Sequence, residues 1–244
     1  MQPGQICHEL ARISLIFLQI CGNLCYNAVE KTFSVHLNNT TLDLIPGTQN
    51  APPDWTALTH HQCPDCPLNP AQYSRCPIAV NLVEMIDFFQ EFPSFEQVTV
   101  QIDSDARVYT KHTSLQEGFS SLMGLYMATS GCPIMNKLKP MIRTHLPFAT
   151  IPETFYRLLA AYVLAQYFLY RQGKEPDMDL SGLKALFKDI QHINKAFWRR
   201  LASISISDTS LNALVRLDST AQYTAFSVDE DSLQEISLLF DAYF

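Results

Sequence analysis

Period-two alternation opens the readable part of the chain. Phe33, Val35 and Leu37 recur at every second position, Asn38-Asn39 follow as turn residues, and Leu42 and Leu44 resume the apolar pattern. Alternation of this kind sets one face of an extended chain against a core, so residues 30–46 are expected to form a hairpin. The pattern returns over 95–113, where Val98, Val100 and Ile102 alternate and Asp103 to Ala106 supply turn residues. Two hairpins predict a small antiparallel sheet with one packed face.

Elsewhere the apolar spacing is helical. Ile78, Leu82, Met85, Ile86 and Phe89 predict a helix over 77–91, with Pro77 suited to its first turn. Past residue 114 every apolar run has this period. One helix should end at Gly131-Cys132-Pro133. The next carries Ile134, Leu138, Met141, Ile142 and His145 on one side, and Pro140 should kink or split it. The clearest helix follows: Thr150 and Glu153 fit a capping box, Pro152 fits the first turn, and Gly173 stops it. It is apolar nearly all round, which predicts a place at the centre of the bundle. Helices near 179–202, 208–225 and 229–243 complete the set, opened by Asp179, Asp208 and Asp229 or their neighbours.

The fold class expected is therefore α+β, in three stretches. Residues 1–29 form an N-terminal extension, 30–113 a hairpin sheet with a cysteine-rich loop and one helix, and 114–244 a helical bundle. Ile13 to Val29 carries no charge but is broken by Gln19, Gly22, Asn23 and Asn27. It is too short and polar for stable membrane insertion, and no cleavage site is clear. An amphipathic helix or a dispensable extension is the expectation there.

Composition narrows the function. Of 244 residues, 47% are hydrophobic and 17% charged, which suits a folded core and excludes wholesale disorder. A net charge of −7 excludes broad nucleic-acid binding, which needs a positive face to displace counterions. The small basic cluster Lys137, Lys139, Arg143 and His145 reads as a solvated helix face. Seven cysteines cannot all pair within the chain, and a core of this size needs no disulfide framework. A reducing, cytoplasmic location is expected, with thiols available for chemistry.

Those thiols divide into two groups. Cys63, Cys66, Cys76 and Cys132 are each followed by proline, whereas Cys7, Cys21 and Cys25 are not. Half of the 14 prolines fall in 46–77, where a long helix or central strand cannot form and something other than a backbone ladder should set the shape. Cys63-x2-Cys66 has the spacing that lets two thiolates in a tight turn reach one metal. Cys76 is within reach across a loop, and Cys132 would arrive from a distant helix end. Proline after cysteine holds the ligand residue extended or in a turn. The four cysteines are the candidate metal ligands, with His61 the substitute if Cys132 stays away. Four thiolates suit zinc or an iron–sulfur cluster, and the residues leave that choice open.

Other chemistry finds less support. "CPDC" invites a thioredoxin reading, but Pro67 and Pro70 would break the helix that such a motif opens, and no strand precedes it. Glu117, Glu153, Asp189, His192 and Glu235 lie on expected helices without the Glu-x-x-His pairs of a di-metal bundle. There is no Gly-rich phosphate loop, nucleophile elbow or HExxH. Cys132 and His145 are two unlinked residues, so no catalytic residue is assigned. Asn194 and Asn212 fall near core stripes and are expected to hydrogen-bond between helices.

"HQCPDCPL", "RCPIA", "SLMGLYMATSGCP", "HLPFAT" and "YVLAQYF" together resemble an uncharacterised family of bacterial proteins, a domain of unknown function. The resemblance runs from about residue 30 to the C-terminus and implies no reaction. The expectation is a metal-binding protein with a four-cysteine site, its bundle a scaffold open to a protein partner. An iron–sulfur redox enzyme or electron carrier, and an interaction protein with reduced thiols and no metal, are the alternatives.

Overall fold

The computed structural model describes residues 10–20, 29–45, 47, 51–204, 208–228 and 230–244. In chain order the elements are β1 (Leu10–Ile20), β2 (Val29–Asn38), α1 (Pro77–Phe89), β3 (Gln97–Ser104), β4 (Val108–Ser114), α2 (Leu115–Thr129), α3 (Lys139–Ile142), α4 (Ile151–Arg171), α5 (Ser181–Ala202), α6 (Asp208–Ser227) and α7 (Glu230–Ser237). The fold is α+β.

The four strands form one antiparallel sheet in the order β2-β1-β3-β4. Phe33 lies level with Leu15, Leu15 with Ile102, and Ile102 with Tyr109. The alternating residues of β2 and β3 are buried as expected, on the face that α1 and α2 cover. Rings interlock there: Phe89 stacks on Phe119 at 4.6 Å and on Phe33 at 5.6 Å. The β3–β4 hairpin turns at Asp105-Ala106, closed by a reciprocal backbone pair between Ser104 and Arg107.

The first hairpin and the N-terminal segment both differ from expectation. Residues 10–20 are not a helix or an appendage; they are the strand between β2 and β3. The arm expected at Leu42–Leu44 shrinks to a single bridge, Leu37 with Leu44, around a turn that Asn38 holds through its Oδ1. An apolar run with polar interruptions carries little period-two signal, so the strand was not marked by alternation. Lys139 and Arg143 are not merely solvated. Lys139 pairs with Asp43, and Arg143 donates to the Asn39 carbonyl at 2.8 Å, fastening that turn to the bundle.

The helices start and stop largely where their capping residues sit. Pro140 falls in the first turn of α3 after a 3-10 turn at Met135–Leu138, so the run is split. Thr150 and Glu153 form a complete capping box on α4, and Gly173 beyond its end has φ of 72°. Asp208 accepts from Ser94 at 2.6 Å, while Asp229 lies outside the described residues. The opening of α5 relies on Asp177, whose Oδ2 takes the Gly182 N–H at 2.8 Å, alongside Asp179, which takes that of Ser181. The central helix is not α4. α6 packs against α2, α4 and α5, and α4 buries only Phe155, Leu158 and Gln166. Val163, Leu164, Tyr167, Phe168 and Tyr170 stay exposed. No helix among the described residues is long and apolar enough to cross a membrane.

The proline-rich loop does have a ladder, though a short one. Leu58 N–H donates to Ser74 at 3.0 Å, Cys76 N–H to Thr56 at 2.8 Å, and Ala57 bridges Arg75 between them. Backbone pairing thus closes the base of the loop, and Leu58 anchors it in the core.

Candidate metal centre

The turn at Cys63-Pro64-Asp65-Cys66 is closed by the Cys66 N–H on the Cys63 carbonyl at 3.1 Å. Pro64 fits the second position of such a turn because its φ is preset. Cys76 caps the start of α1 with an extended backbone, φ −74° and ψ 120°, the geometry its following proline favours. Cys132 follows α2 after Gly131, whose φ of 90° only glycine adopts without strain, so the chain reverses there. Asn81 on α1 joins the two ends: its Nδ2 donates to the Pro77 carbonyl at 2.8 Å and to that of Ser130 at 3.4 Å.

The four cysteines that precede proline are all free thiols, and Cys66, Cys76 and Cys132 all lie within electrostatic reach of Cys63. Burial pushes the Cys63 thiol up to about 12, and Cys76, Cys66 and Cys132 push it the same way. Burial also raises Cys132; the N–H groups of Met135 and Ile134, which point at its sulfur, oppose that shift, while Cys76 and Cys66 add to it. A raised Cys63 runs against the thioredoxin reading, which needs its first cysteine acidified. The thiols are near enough to sense one another's charge without being closed around a point. Among the described residues no group of three or more His, Cys, Asp or Glu side chains is placed to hold a metal ion. Cys132 joins the cluster from its distant helix end. His61, the substitute ligand, is exposed with φ of 49° and meets His60 ring to edge at 4.8 Å.

Two neighbours escaped the sequence reading. Arg200, near the end of α5, is 2% exposed and donates to the carbonyls of Trp55 at 2.6 Å, Ala57 at 2.7 Å and Leu58 at 3.5 Å. Burial lowers its pKa, and Cys76, Cys63 and Cys66 act against that shift. No carboxylate pairs with it among the described residues. Its position was legible: Ile193, Phe197 and Arg200 share one helical stripe, so Arg200 faces inward and Arg199 does not. The second neighbour is His192, on the same helix, whose Nδ1 meets Asp65 inside the Cys63–Cys66 turn at 2.5 Å. His60 bonds Ser203 at 2.8 Å, and burial, then Arg200 and His61, lower its pKa.

Neither asparagine bridges helices as expected. Asn212 donates to Ser94 in a loop and to Asp208 one turn back, and the Nδ2 of Asn194 has no partner among the described residues.

An α+β protein with a buried cluster of free thiols beside an arginine is the class these features define. The chain belongs to the family described as Domain of unknown function (DUF6901), whose sequence profile matches residues 24–241. No curated protein and no solved structure matches it.

Proposed function

We propose that the protein binds one metal ion, zinc, through Cys63, Cys66, Cys76 and Cys132, and that the ion ties the proline-rich loop to the ends of α1 and α2. The observation that carries this reading is Arg200. A guanidinium stays charged at any ordinary pH, and an enclosed cation without a counter-charge costs several kcal/mol. Three carbonyls satisfy its N–H groups but supply no full negative charge. Four thiolates on a divalent ion carry a net charge of −2, and that charge would lie beside Arg200. Metal binding also displaces the thiol protons that burial otherwise retains. The two N–H groups aimed at the Cys132 sulfur are the outer contacts that orient and stabilise a metal thiolate.

A closed set of four protein sulfurs leaves no open position for a substrate, so the role proposed is structural. Ordering by the ion adds to the short ladder at the loop base; zinc in small folded peptides contributes about 10–16 kcal/mol. The test is the metal content and visible spectrum of protein purified without oxygen. Colourless protein with one zinc per chain, lost in both Cys63→Ser and Cys132→Ser and kept when Cys7, Cys21 and Cys25 are replaced by serine, is expected. A brown protein with acid-labile sulfide would replace zinc by an iron–sulfur cluster. Metal-free protein whose melting is unchanged by Cys63→Ser would overturn metal binding altogether.

A further inference from the structure

A second site lies apart from the cysteines. A cavity of about 620 Å³ opens among α2, α3, α4, α5 and α6, within the ~300–1,000 Å³ usual for small-molecule sites. Its walls are mainly apolar, and three of them are methionines, Met127, Met135 and Met141, whose flexible thioethers adapt to irregular guests. Two of its polar side chains carry buried atoms without a partner. Asn194 is 2% exposed with its Nδ2 unpartnered, and the enclosed Nε2 of His145 has no partner either. Orphaned buried polar atoms are rare because each forfeits a hydrogen bond to water, and here two stand in one wall.

The charged groups in the lining point the same way. Lys111, Arg157 and Arg216 are cations, and Glu117 is the one carboxylate among the described lining residues. Glu117 is already engaged by Lys111 at 2.7 Å and by Arg216 at 3.8 Å. Among the described residues Arg157 donates to the carbonyls of Met141 and Thr144, both at 2.7 Å, and feels the charge of Glu153 without a direct ion pair. A guest that suits this cavity is apolar over most of its surface and brings an anionic acceptor. We infer that the cavity binds an aliphatic carboxylic acid, its carboxylate taking the Asn194 donor within the field of Arg157 and Arg216 and its chain lying along the methionine wall.

Calorimetric titration of the full chain with dodecanoate, below its micelle concentration, tests this. Dodecanoate should bind once per chain, and dodecanol, which keeps the tail and loses the charge, at least tenfold more weakly. Asn194→Leu should weaken dodecanoate at least tenfold while leaving the melting temperature unchanged or higher, since it removes an unpaired donor. Ser121→Phe, which fills space from α2, should weaken it to a similar degree. Both variants should keep their metal, so the cavity and the thiol cluster fail or succeed separately. Absence of saturable dodecanoate binding, equal affinity for dodecanol, or indifference to both variants would overturn the assignment.

Discussion

Arg200 is the residue on which local structure and chemistry meet. Its guanidinium donates to three carbonyls of the loop base, and Cys76, Cys63 and Cys66 lie within its electrostatic reach. Arg200→Met keeps an unbranched apolar stem and removes both charge and donors. It should cost about 1–3 kcal/mol of stability for each buried carbonyl left without a donor, and should weaken zinc binding at least tenfold in a competition titration with a chromophoric chelator. Unchanged zinc affinity in a folded variant would show that Arg200 serves the loop alone. His145 makes a prediction in pH. Burial, and then the charge of Arg157, lower its pKa to about 4 from an ordinary 6.5. The unfolded chain therefore takes up the proton more readily than the folded one. The stability tied to the neutral ring is full above pH 6.5 and declines as pH falls towards 4, by up to about 3 kcal/mol. Urea titrations at several pH values should show this loss in the wild type and a smaller one in His145→Gln.

At the scale of elements, caps and alternation were well marked in the sequence, and strand partners were not. The Thr150–Glu153 box forms as its spacing predicts, and Thr150→Ala should cost about 1 kcal/mol of stability, measured by denaturant unfolding. The β3–β4 hairpin follows from its alternation because its two strands are joined by a tight turn. β1 could not be read that way: it pairs with β2, next along the chain, as well as with distant β3, but its sequence does not alternate cleanly. α4 misled for a related reason. Its composition is apolar on all sides, but a helix is central only if other elements cover each side, and α6 takes that place between α2 and α5. The cysteine cluster was legible through one local signal, proline after cysteine, because that signal acts on backbone geometry at each site. The helical stripe of Ile193 and Phe197 marks Arg200 as inward-facing, but its partners, His192's contact and the cavity depend on which elements face one another, and no local pattern carries that.

At the scale of the whole molecule, two seams join the sheet to the bundle. One is the turn at 38–43, fastened by Lys139 and Arg143; the other is the loop at 51–76, fastened by Arg200. Because β1 lies inside the sheet, deletion of residues 1–20 should abolish cooperative thermal unfolding by leaving β2 and β3 with open edges. A truncated chain that melts as the full one does would return the segment to the role of an extension. The thiol cluster itself is best tested by X-ray absorption at the zinc edge of protein purified without oxygen. Four sulfur neighbours at ~2.3 Å and none lighter is the result predicted. Nitrogen or oxygen neighbours at ~2.0–2.1 Å in place of sulfur, or no bound metal to measure, would contradict it.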